Sequence, residues 1–268
     1  MSKLVLMTLI TGFAAFFTGT TVVTASEASA CPDDSVASGT ACIDKYEASI
    51  WYVPPEEKAL INKIQKGEVK LADLMDAGAV QLGIASGDLA ANGCPVNGNG
   101  CANVYAVSIA GVTPAGFVTW FQAAAAARNS LKRLPTNQEW QVAALGTPDG
   151  APCNVGPGGT VASTGSAPGC VSDVGAFDMV GNVWERVADW ADFADGCVTQ
   201  SATFGGDLSC VGGPGQASPV GNKPGAMLRG GFFGLFELGG GTHAGVFAVR
   251  ANVTPDFAPN GIGFRCAR

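Results

Sequence analysis

Apolar positions along this chain follow recognisable periods as far as about residue 145, lose them through a long glycine-rich middle, and recover them only in two short runs near the end. Thr40 to Val53 mixes β-branched and aromatic residues into polar ones, which predicts one strand or two, and Pro54-Pro55 ends it. Between Glu56 and Gly83, Leu60, Ile61 and Ile64 and then Leu71, Leu74 and Met75 fall on helical spacing, in two pieces broken at Gly67. Val104 to Val112 predicts a strand and Trp120 to Leu131 an alanine-rich helix. The following helix is marked by its ends. Thr136 caps it, Glu139 three residues on completes a capping box, Trp140, Val142 and Ala143 form its apolar face, and Gly146 stops it. Asp88 to Gly100, Thr147 to Gly175 and Gly196 to Gly225 have no period and are predicted as loops. Val246 to Val249 and Ile262 to Cys266 suit short buried strands.

The last forty residues, Arg229 to Arg268, combine those two strand-like runs with large side chains in no regular order: Phe233, Leu235, Phe236, Leu238, His243, Arg250, Val253, Asp256 and Phe257. Such residues either fold back into a core or stand on a rigid support and face a ligand. Phe247 and Phe264, inside the runs, are expected in the core. For His243, Arg250 and Phe257 both readings stay open.

Composition narrows the function. The 268 residues carry 38 glycines, 15 prolines and a formal net charge of -7, with no cluster of Lys and Arg, so nucleic acid is not an expected partner. Lys3, the apolar run Leu4 to Val23 and the small residues Ala28-Ser29-Ala30 read as an export signal over residues 1–30, which places the rest outside the cytoplasm: secreted, periplasmic or on a cell surface. A membrane anchor is the competing reading of that stretch. Nine cysteines fit export. Proximity pairs Cys31 with Cys42, Cys94 with Cys101, Cys153 with Cys170 and Cys197 with Cys210, leaving Cys266 as a buried thiol. A lipid on Cys31 is the one route to a membrane that the remaining chain offers.

KRLPTNQEW (Lys132 to Trp140), DMVGNVWE (Asp178 to Glu185), LRGG (Leu228 to Gly231) and GIGFRCAR (Gly261 to Arg268) occur in this order and resemble the formylglycine-generating enzyme family. The resemblance implies an α+β, C-type-lectin-like fold of the sulfatase-modifying-factor type, rich in irregular loops, over residues 31–268. The family's oxidases bind copper through two cysteines between the two-glycine turn and the terminal GFR, and related members bind iron through several histidines. Here no cysteine occurs from Val211 to Arg265 and the only histidine is His243, so neither site can be assembled and no catalytic residue is expected. Asn182 and Glu185 resemble a calcium-bearing turn of some relatives. The alternative, in which Asn182 caps a turn and Glu185 forms an ion pair, stays open.

Gly241 to Arg268 further resembles the variable proteins of diversity-generating retroelements, in which a reverse transcriptase rewrites adenines in the C-terminal codons and changes the ligand-contacting side chains. The resemblance implies an exported receptor- or adhesin-like protein with a variable segment over about 229–268. It would bind an unknown surface ligand, protein or carbohydrate, through Phe233, Leu235, Leu238, His243, Arg250, Asn252, Val253, Asp256, Phe257, Pro259 and Gly261. Rewriting the adenines of AAC or AAT codons cannot produce Trp, Met, Lys, Gln or Glu, and from Phe232 to Gly261 these types are represented by Glu237 alone. There are departures: Phe232-Phe233 follow the two glycines where the family commonly has a small residue and a tryptophan, and Arg186 stands where it has a second tryptophan. An enzyme of the formylglycine-generating superfamily with non-standard chemistry is the other functional reading.

Overall fold

A hairpin, β1 (Ser35–Ser38) and β2 (Ala41–Asp44), opens the computed structural model, which describes residues 31–156, 159–194, 196–211, 219–234 and 243–268. The expected signal at 1–30 and the expected ligand residues Leu235 and Leu238 lie outside the described residues. Next come β3 (Ser49–Tyr52), α1 (Lys58–Lys66), α2 (Leu71–Asp76), β4 (Val80–Leu82), α3 (Asp88–Ala91) and β5 (Val104–Val107). The pair α1 and α2 breaks where expected, at Gly67, whose φ of +74° caps α1 in the left-handed conformation. Helices α4 (Trp120–Asn129) and α5 (Asn137–Ala144) follow, and both carry capping boxes, Thr119 with Gln122 and Thr136 with Glu139.

The second half is mostly sheet. β6 (Trp184–Ala194), β7 (Val198–Thr199), β8 (Leu208–Cys210), β9 (Pro219–Arg229), β10 (Val249–Arg250) and β11 (Ile262–Phe264) form one six-stranded sheet in the order β11-β6-β9-β10-β8-β7. β4, β3 and β5 form a separate antiparallel sheet. With helices packed on sheets of mostly antiparallel pairing, the fold class is α+β, as expected.

Several expected elements need correction: the strand expected from Val104 to Val112 ends at Val107, and the one expected from Ile262 to Cys266 ends at Phe264. The stretch Asp88 to Gly100 contains the short helix α3. The supposed loop from Gly196 to Gly225 holds β7, β8 and most of β9, a strand rich in Pro and Gly that pairs along its length with β6 and, at its end, with β10. Gly225 is needed there because a Cβ would collide with the Ala251 carbonyl that crosses it. Finally, the strand expected at Val246 to Val249 is only Val249–Arg250, because Ala248 N–H closes a turn on the Gly245 carbonyl.

The terminal residues lock the two halves together. Phe264 and Cys266 are buried in the cluster built from β3, β5 and α4, with Ile50, Val104, Ala126 and Leu134. Lys132 Nζ, buried, lies 2.5 Å from Asp34 and 2.6 Å from Asp44, and the other oxygen of Asp44 accepts the Cys266 N–H. The four proximity disulfides are present and Cys266 is a free, buried thiol. With its sulfur bonded to Cys42, Cys31 has no thiol left for a lipid, which corrects that expectation. Among the described residues no helix is long and apolar enough to cross a membrane.

Candidate functional site

The turn before β6 sets the floor of the C-terminal segment. Gly181 and Asn182 both have positive φ, +79° and +53°, a pair of conformations that glycine and asparagine tolerate best. Asn182 is held by its whole amide: Nδ2 donates to Glu47 and to the Ala162 carbonyl, and Oδ1 accepts from Asn154 Nδ2 and Ala162 N–H. Glu47 is fully buried, and burial pushes its carboxyl well above the ordinary range, with Asp178 and Glu185 pushing the same way. Glu185 accepts from Arg265 through both oxygens at 2.6 Å and from Trp140 Nε1 at 2.7 Å. A calcium ion does not fit these residues. It would have to displace the Arg265 guanidinium and strip Asn182 of its donors. The arrangement matches the other reading, a turn residue and an ion pair.

Above this floor the chain from Val253 to Gly261 has no helix or strand, yet its backbone is fixed at every second carbonyl. Val253 accepts from Ala226 N–H at 3.0 Å, Pro255 from Trp120 N–H at 2.8 Å, Pro259 from Phe117 N–H at 3.1 Å and Gly261 from Trp184 N–H at 2.9 Å. The Phe257 carbonyl accepts from Arg186 Nη2. Arg186 is completely buried and forms no ion pair among the described residues; burial lowers its pKa to about 9, with Asp256 acting the other way. The donors therefore belong to α4, to the residues just before it and to β6 and β9. Every one of these bonds ends on a main-chain carbonyl and none on a side chain of the loop.

The side chains divide by direction. Phe257 is 47% exposed, Asp256 and Asn260 are exposed, and His243, Asn252 and Pro259 are half-buried. Phe233, Arg250, Val253 and Gly261, expected on the ligand face, are turned inward. Val253 packs with Trp184, Leu228, Ala248 and Ile262, and a Cβ on Gly261 would strike the Phe232 ring. Arg250 is 8% exposed, on β10, a strand that pairs on both sides, to Leu228 and Cys210. Its Nε donates to Asn252 Oδ1, and burial lowers its pKa to about 10. Asn252 in turn reaches Cys197 Sγ at 3.4 Å. Phe247, expected in the core, is only half-buried, its ring edge-on to the exposed Phe204 at 5.3 Å. Phe264 is fully buried, as expected.

Sequence reasoning missed three contributors. Arg186 was visible only as a departure from a family pattern. Trp120, Phe121 and Trp190 form an edge-to-face cluster, with centroids 5.2 to 5.9 Å apart, beside the Pro255 carbonyl that Trp120 N–H holds. Trp190 is half-exposed there. The third is Asp207, whose Oδ2 accepts Phe247 N–H at 2.8 Å and so fixes the entry to the segment.

The chain is 32% identical over 182 residues to the formylglycine-generating enzyme of Thermomonospora curvata, covering 58% of this chain and 55% of that protein. It is 30% identical over 180 residues to the formylglycine-generating enzyme of Streptomyces coelicolor, covering 58% and 52%. The chain thus spans about half the length of the curated relatives it matches. Among solved structures, the Major Tropism Determinant P3c variant aligns with a TM-score of 0.44 at 20% identity over 88% of this chain and 52% of that one. Treponema denticola variable protein 1 aligns with a TM-score of 0.35 at 22% identity over 59% and 71%. The Sulfatase-modifying factor enzyme 1-like domain matches residues 12–268, nearly the whole chain. The protein is therefore a member of the sulfatase-modifying factor family, with that family's C-type-lectin-like α+β fold.

Proposed function

We propose that this is an exported ligand-binding protein of receptor or adhesin type, whose C-terminal face is diversified by a retroelement reverse transcriptase. The observation that carries the reading is the suspension of 253–261 by alternate main-chain carbonyls. A hydrogen bond to a carbonyl does not depend on which side chain the residue bears, so codons for outward residues can change while the loop keeps its course. Asp256 and Phe257, with Pro259, Asn252, His243, Leu235 and Leu238, would then contact a surface protein or carbohydrate. Phe233, Arg250, Val253 and Gly261 would shape the face from beneath. Four disulfides support a location outside the cytoplasm, where such bonds persist.

The test is genetic. The DNA flanking this gene in its source organism should hold a reverse-transcriptase gene and a near-copy of the terminal coding segment, differing from it at adenines. If neither is there, diversification is refuted.

A second reading has its own support, since the curated relatives that match at 30% identity and above are formylglycine-generating enzymes. With no cysteine between Val211 and Arg265, the purified protein is expected to leave a cysteine-containing sulfatase peptide unoxidised, with or without copper. Formylglycine detected in that peptide by mass spectrometry would establish the enzyme instead.

A further inference from the structure

Two carboxylates outside the face just described converge, and neither forms an ion pair among the described residues. Asp207 is 1% exposed and precedes β8. Its Oδ2 takes the Phe247 N–H at 2.8 Å, and the Ala248 N–H also acts on the group. Its Oδ1 is buried with no hydrogen-bond partner among the described residues. An orphaned buried carboxylate oxygen is costly and calls for a ligand. Asp149, in the loop after α5, aims at the same place. A Cβ built on Gly205 would sit against Asp149 Oδ2 and 3.0 Å from Asp207 Oδ1. The space between the two oxygens is therefore left open by a glycine, held at a φ of +69°.

Asp207 stands in the loop that Cys197–Cys210 closes. Asp149 lies just before the Cys153–Cys170 bridge, where Cys153 N–H bonds the Gly150 carbonyl. The cation that acts on Asp207 is Arg229 on β9, whose Nη2 donates to Gln141 and to the Val246 carbonyl and whose Nε has no hydrogen-bond partner among the described residues, so it does not reach the Asp207 oxygens as an ion pair. Burial raises the Asp207 carboxyl to about 6, with Asp149 adding to the rise, and burial raises Asp149 as well.

We propose that Asp149 and Asp207 bind a calcium ion that clasps the loop after α5 to the turn before β8, and through Phe247 to the entry of the C-terminal segment. Carboxylate oxygens without sulfur or imidazole select a hard cation rather than zinc. Asp149 is exposed, so water can complete the irregular shell that calcium accepts and magnesium does not. With two carboxylates the affinity belongs to the range of extracellular modules, on the order of 10⁻⁴–10⁻³ M. The site does not depend on what the face binds, so it stands or falls apart from the functional reading.

The test uses the purified, chelator-treated protein, titrated calorimetrically with calcium chloride and melted with and without it. One ion should bind, and at about tenfold its dissociation constant the melting temperature should rise by ~3–6 °C. Asp149→Asn should reverse the order. Without calcium it should melt at or above the parent, since a like charge beside Asp207 is gone, and with calcium it should not shift. Asp207→Asn, which keeps an acceptor for Phe247 N–H, should lose the calcium response too. The proposal is overturned if calcium at about 10 mM neither binds nor stabilises, if Asp149→Asn responds like the parent, or if magnesium matches calcium.

Discussion

Val253–Gly261 and the terminal residues that follow, Ile262 to Arg268, adjoin in sequence and are secured by opposite means. The first stretch is suspended by its carbonyls, and its outward side chains make none of the bonds that place it. The second is fixed by what its side chains are. Phe264 fills the core, Arg265 spends its guanidinium on Glu185 and on the Asp44 and Phe177 carbonyls, and Arg268 pairs with Asp34. A segment anchored through its backbone tolerates changes of residue, whereas one anchored through side chains does not. The boundary at Gly261 is thus where variation can stop.

The comparison breaks most readily at its rigid end. Arg265→Ala leaves Glu185 and the nearby Glu47 and Asp178 buried without their cation, and should cost ~3–5 kcal/mol in denaturant unfolding. Phe264→Ala removes a fully buried ring and leaves a cavity, for ~3–5 kcal/mol. If either variant unfolds at the parent's denaturant midpoint, the terminal strand is not the anchor described.

What could be read in advance follows the range of the interactions. Capping boxes at Thr136 and Glu139, the break at Gly67 and four disulfides closed by neighbours are local, and each was legible from a few adjacent residues. β9 was not, because its Pro and Gly content signals a loop and only its partners β6 and β10 make it a strand. Glu47 carried no signal either, since Asn182 lies 135 residues away. Which side chains of the terminal segment point outward was not legible one by one. Val253 and Phe257 look alike in sequence, and only the fold turns one inward and the other outward.

Two residues at the entry to the segment sharpen the contrast, because they lie between its extremes. Phe247→Ala gives up one edge-to-face ring pair and part of a half-buried side chain, and should cost about 1–2 kcal/mol. Arg250→Ala should cost a similar ~1–2 kcal/mol, since a buried stem and a bond to Asn252 are lost while a desolvated charge is relieved. Thermal melts of the two variants should fall between those of Phe264→Ala and the parent. An Arg250→Ala variant indistinguishable from the parent would return Arg250 to the exposed face.

The smallest effect on stability is the one the functional reading requires. Phe257→Ala and Asp256→Ala remove exposed side chains, while the Phe257 carbonyl still accepts from Arg186 and the Pro255 and Pro259 carbonyls still accept from Trp120 and Phe117. Each should change stability by only about ±0.5 kcal/mol. Amide exchange at Trp120 and Phe117, whose N–H groups donate to the loop, should be as slow in these variants as in the parent, because the bonds that protect them involve no altered atom. Against a partner recovered by screening surface ligands, the same truncations should weaken binding, by ~2 kcal/mol or more where Phe257 is a hot spot. Faster exchange at Trp120 and Phe117 in Phe257→Ala would mean that the side chain helps to place the loop, and the backbone could then no longer be credited with holding it alone.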